Sequence, residues 1–77
     1  MSIGRRDHQT AVTWIEGEIE NLLRDLGKPN ASAAATSAIT LAFLLRAISD
    51  EEQRNFRARI DQIYATFNTS NKHGAAA

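Results

Sequence analysis

Apolar side chains recur along this chain in three blocks, each at the alternating three-and-four step of an α-helix. In the first, "AVTWIEGEIENLLRDLG", Val12, Ile15, Ile19, Leu22 and Leu26 fall on one stripe, with Leu23 beside it. Asp7 is the expected N-cap, because its carboxylate can accept hydrogen bonds from the free amides of a first turn. Gly27, Lys28 and Pro29 end the block: glycine takes the left-handed conformation without a Cβ clash, and proline cannot carry the ladder on. The second block predicts a helix from Ala31 to Ile48, capped by Asn30, with Ala34, Ala38, Leu41, Leu45 and Ile48 as its inward stripe. The third opens on "SDEE", where Ser49 and Glu52 have the spacing of a reciprocal capping box and Asp50 and Glu51 add negative charge at the positive end of the helix dipole. It is expected to run to about Asn68, burying Phe56, Ile60, Ile63, Tyr64 and Phe67. Short loops and the absence of any strand-like alternation predict an all-α fold, a small antiparallel three-helix bundle.

The middle block changes this simple picture. "ASAAATSAITLAFLL", Ala31 to Leu45, carries no charged side chain. On a helical wheel Ile39 and Phe43 point roughly 140° to 180° away from the inward stripe, and Leu44 points off to another side. A helix that is apolar nearly all round is normally covered all round, and two neighbours in a three-helix monomer cannot do that. The expectation is a homodimer formed through the central helix, with Ala35, Ile39, Ala42 and Phe43 at the interface. The plain alternative is that helix one covers Phe43 and the rest is ordinary surface apolarity.

Length points the same way. Seventy-seven residues make one domain, read as a flexible N-terminus at 1–6, a three-helix unit at 7–68 and a disordered tail at 69–77. A chain this short buries only about 60% of its unfolded surface, and small domains commonly add disulfides, a metal or a second subunit. There is no cysteine, so disulfides and thiolate metal sites are both out, and oligomerisation is left. Lys plus Arg and Asp plus Glu number 9 each, which gives no global field toward nucleic acid or anionic lipid. The uncharged stretch is too short and too rich in Ser and Thr for a membrane span. The N-terminus lacks the apolar run of a signal peptide, so a cytoplasmic setting is expected.

Trp14 stands about 120° from the stripe of its own helix, near Gly17 and Asn21. A mid-helix glycine costs about 1 kcal/mol relative to alanine, so Gly17 marks a possible close approach by another surface. Trp14, Gly17 and Asn21 are therefore the candidate patch for a partner protein, weighed against a Trp14 that merely folds over Gly17 or closes the bundle's end.

Catalytic chemistry is absent from the pattern. His8 and His73 have no second ligand at i,i+3 or i,i+4, so no metal or other cofactor is expected. Glu16, Glu18, Glu20 and Asp25 read as a solvated face, and Ser32, Thr36, Ser37 and Thr40 have no base nearby in sequence. Nucleic-acid binding through Arg5, Arg6, Arg54 and Arg57 is the alternative function. It is disfavoured because the first turn of the third helix is Asp50, Glu51 and Glu52, which would face phosphates. The sequence therefore predicts a non-enzymatic regulator, adaptor or inhibitor that acts through protein contacts.

Overall fold

The computed structural model describes residues 5–76, with side chains through residue 69. It contains three helices: α1, Arg5–Arg24; α2, Ala33–Leu44; and α3, Asp50–Ala76. Among the described residues there is no strand, and the all-α class stands.

Helix α1 starts earlier than its expected cap. Arg5 and Arg6 are already helical, so Asp7 lies inside the first turn, where its negative charge faces the positive end of the dipole. Residues 5 and 6 of the predicted flexible segment are thus helical, and residues 1–4 lie outside the described residues. At the other end the helix stops at Arg24, and Gly27 follows with φ 95°, as the sequence predicts. A Cβ there would also meet Phe67 Cζ at 3.6 Å.

Helix α2 is shorter at both ends than the apolar block suggests. Asn30 is not its cap but adopts a left-handed φ of 61°, and Ser32 occupies the cap position without a side-chain hydrogen bond. The C-terminus closes in a Schellman motif. The Ala47 amide donates to the Ala42 carbonyl at 2.8 Å and the Arg46 amide to the Phe43 carbonyl at 2.9 Å, with Arg46 at φ 59°. This turn removes Ile48 from the helix yet keeps it buried.

The capping box at α3 forms as read. Ser49 N donates to Glu52 Oε1 at 2.8 Å, and Glu52 N donates to Ser49 Oγ at 3.0 Å. The helix then continues past Asn68 to Ala76, since no proline intervenes; Thr69 Oγ1 donates back to the Ala65 carbonyl at 2.9 Å.

The core is small and rich in alanine. Ile15, Ile19, Leu22 and Ile39 are its largest fully buried side chains, joined by Phe56, Ile60, Ile48 and alanines from α1, α2 and the α2–α3 turn. Val12, Leu26, Phe43, Ile63 and Tyr64 pack on its edge. Helix α2 packs against both α1 and α3. Two polar ties join α1 to α3 in the same order along both helices: His8 to Glu52 at 2.6 Å and Glu16 to Arg59 at 2.7 Å.

Candidate functional site

The buried face of α2 is turned by roughly 80° from the one the stripe predicts, so that Ala38 is buried under both readings. Ala35, Ala38, Ile39 and Ala42 are buried, Phe43 is half-buried against the core, and Ala34, Leu41 and Leu45 are exposed. The helix has two faces that could be buried, and the alanine-lined one goes inward because small side chains let α1 and α3 come close. The assignment of Ala35, Ile39, Ala42 and Phe43 to a dimer surface is therefore corrected: they pack within the single chain. Helix α1 follows its expectation more closely, with Ile15, Ile19 and Leu22 buried and Leu23 left out.

The displaced leucines form the largest apolar exposure described. Leu41 is 45%, Leu45 58% and Leu44 70% exposed. They share one side of α2, since i, i+3 and i+4 positions are neighbours on a helix. Trp14, 53% exposed, stands across the α1–α2 seam from Leu41 and Leu45, while Leu44 borders the turn into α3. Trp14, Leu41 and Leu45 line a groove of about 380 Å³ with Ala11, Ala42 and Ala47 on its floor and Asp7 and Thr10 at its rim. On its other flank Trp14 bounds a second cleft with Arg6, Gln9, Thr10 and Thr13. The four large side chains leave on the order of 400 Å² of apolar surface in water, the size of the largest patch a monomeric protein usually carries.

Gly17 and Asn21 lie on the same face of α1 as Trp14, one and two turns along the helix. Among the described residues nothing lies within 4 Å of a Cβ built on Gly17, so the space beside it is open. Asn21 is occupied along α1: its Nδ2 donates to Glu18 Oε1 at 3.0 Å, and Arg24 Nη2 donates to its Oδ1. The structure pairs Trp14 with Leu41 and Leu45 of another helix, a contact no spacing within one helix could reveal. One sequence signal does bear on it: the capping box fixes the start of α3, so α2 must turn before Ser49, and Leu44 and Leu45 fall on its last turn.

The arginines of the nucleic-acid alternative divide between the start of α1 and α3, and the two on α3 are engaged. Arg54 pairs with Asp50 at 2.9 Å, Arg57 Nη2 donates to Thr40 Oγ1 at 2.9 Å, and Arg59 pairs with Glu16. Arg59 also stands 5.7 Å from the centre of the Phe56 ring. Its hydrogen bond holds the Glu16 carboxyl below the usual range, and the Glu16 bond raises the guanidinium in turn. Arg5 and Arg6 remain exposed at the start of α1.

A larger cleft, about 650 Å³, lies where α2 turns into α3, lined by His8, Arg46, Ser49, Asp50 and Glu52 among others. Its polar groups are committed to structure. Glu52 accepts from the Ser49 amide through Oε1 and meets His8 Nε2 through Oε2, and these bonds, the Ser49 amide first, hold its carboxyl below the usual range. No described hydrogen bond joins Ser49 Oγ to an imidazole nitrogen, which nucleophilic chemistry would need. Among the described residues no group of three or more His, Asp or Glu could hold a metal ion, and no helix is long and apolar enough to cross a membrane.

No family model, curated protein or solved structure matches this chain.

Proposed function

We propose that this chain is a non-enzymatic interaction protein, an adaptor, regulator or inhibitor, that works by docking the Trp14–Leu41–Leu44–Leu45 face onto another protein surface. The helices are read as an up–down–up bundle: α1 and α3 touch in matching order, while the start of α1 meets the end of α2. The observation that carries the reading is that Leu41, Leu45 and the chain's single tryptophan, 45% to 58% exposed, wall one groove, with Leu44, 70% exposed, one turn along from Leu41. Soluble chains seldom leave such a patch without a use, and tryptophan is enriched where binding energy concentrates. The patch also has the composition of an interface core, large apolar groups with charge held to the rim.

A photo-crosslinking residue placed at Leu45, with Asp61 on the outer face of α3 as control, tests this in the native host. Protein adducts from position 45 and none from 61 are expected. Adducts to nucleic acid, or equal labelling from both positions, would reject the reading.

A further inference from the structure

The groove and the side chains suited to fill it lie side by side on one surface. Leu44 is the most exposed large apolar side chain described, and it shares its helix face with Leu41 and Leu45, which wall the groove. A surface with a knob and a hole adjacent to one another is self-complementary under a twofold rotation. We infer that the occupant is a second copy of this chain, docked about a twofold axis so that Leu44 of each copy enters the Trp14–Leu41–Leu45 groove of the other. This rests on the interaction reading above and names its partner.

Three further observations favour the second copy over a foreign chain. Helix α2 brings no like-charge conflict to the contact, because it has no charged side chain from Ala33 to Leu44; the groove's rim carries one charged group, Asp7, and the whole chain has a formal net charge of zero. The intrachain core is thin: four large fully buried side chains, alanines for much of the rest, and no cysteine to staple it. A fold this marginal gains most from a partner present whenever the chain itself is present, because binding stabilises by mass action. Finally, two such patches with their rims would bury on the order of 1,000 Å² in total, at the lower limit for specific association. That area suits a reversible dimer rather than a permanent one.

Sedimentation velocity and the concentration dependence of the melting temperature test the inference on the full chain. The unmodified protein should pass from monomer to dimer over roughly the micromolar to hundred-micromolar range, its melting temperature rising with concentration. Leu44→Glu and Leu45→Glu place a charge where the free chain is already exposed, so each should stay helical by circular dichroism while its dissociation constant rises at least about thirtyfold. Leu23→Glu, on another face and 51% exposed, should dimerise normally. Leu44→Ser weakens the contact without a charge, should a glutamate unfold the chain. A chain monomeric throughout that range, or dimers lost in L23E and kept in L44E and L45E, overturns the inference. If the chain is monomeric while position 45 still crosslinks to a different protein, the second copy is wrong and the interaction reading stands. If position 45 captures no protein at all, both fall.

Discussion

Truncating one residue on each face of α2 tests which side of that helix is core. Ile39 has no exposed surface, so Ile39→Ala removes buried carbons from a packed site and should cost about 2 to 5 kcal/mol. Leu45 is 58% exposed, so it realises less than half of the roughly 1.5 to 3 kcal/mol that full burial of a leucine contributes. Alanine retains part of that share, and Leu45→Ala should cost less than about 1 kcal/mol. Small domains have total stabilities near the low end of about 5 to 15 kcal/mol, so the first change threatens the fold and the second does not. Urea denaturation followed by circular dichroism measures both, with equal slopes required before midpoints are compared. The protein should be held near about 1 µM, where self-association contributes little, since a bound copy would add to the apparent cost at Leu45. A Leu45→Ala cost equal to or above that of Ile39→Ala at this dilution would mean that α2 is turned the other way, with its leucines inside. The groove and everything built on it would then be lost.

Other expectations follow from the helix ends and the lone tryptophan. Arg46 at φ 59° carries a Cβ strain of roughly 1 to 2 kcal/mol, partly offset by glycine's freer unfolded state, so Arg46→Gly should stabilise by about 0.5 to 1 kcal/mol relative to Arg46→Ala. No gain on thermal melting would show that the Schellman turn does not form. Ser49→Ala removes the capping hydroxyl at α3 and should cost about 0.5 to 2 kcal/mol in the same assay. Glu52 has a depressed folded-state pKa, so its contribution is complete above the ordinary carboxyl value of 4.5 and fades as pH falls through the folded value. The stability gap between the unmodified chain and Glu52→Gln should accordingly be full above pH 4.5 and narrow as the pH falls below it; a gap indifferent to pH would refute the clasp between Ser49, Glu52 and His8. Trp14 fluorescence should resemble that of a solvated indole in dilute protein and shift to the blue as concentration rises, and an emission fixed in the blue at all dilutions would place the ring in the core.

Much of the architecture was legible because local chemistry decides it. The Ser49–Glu52 box forms from residues three apart, and Gly27 stops α1 by its own conformational freedom, so neither needs a partner helix to be placed. The α1 stripe was legible too, because its other faces are charged and only one side can be buried. Helix α2 lacked that contrast. With no charge between Ala33 and Leu44, its periodicity permits either the leucine face or the alanine face to be inside, and wheel geometry alone weights the larger side chains. The ties from His8 to Glu52 and from Glu16 to Arg59 were invisible for a related reason: they join residues far apart in sequence whose proximity exists only once the helices are packed.

The choice that α2 makes explains why the exposed apolar face is where it is. Turning the alanines inward lets Ile15, Ile19 and Leu22 of α1 pack close to the α2 backbone, and places Ile39 as the one bulky α2 side chain fully enclosed. Turning the leucines inward would bury more apolar area per residue but would hold the helices further apart, leaving voids beside small residues elsewhere in so thin a core, and voids lose the dispersion contacts that close packing supplies. The cost of the observed arrangement is Leu41, Leu44 and Leu45 in water beside Trp14. Among the described residues no element covers them, because α3 is occupied on the other side of α2 by its own packing and by the Arg57–Thr40 bond. The same packing that encloses the monomer's core therefore produces the apolar face, and a substitution that relieved the face by making it polar should leave the isolated fold intact while removing its capacity to associate.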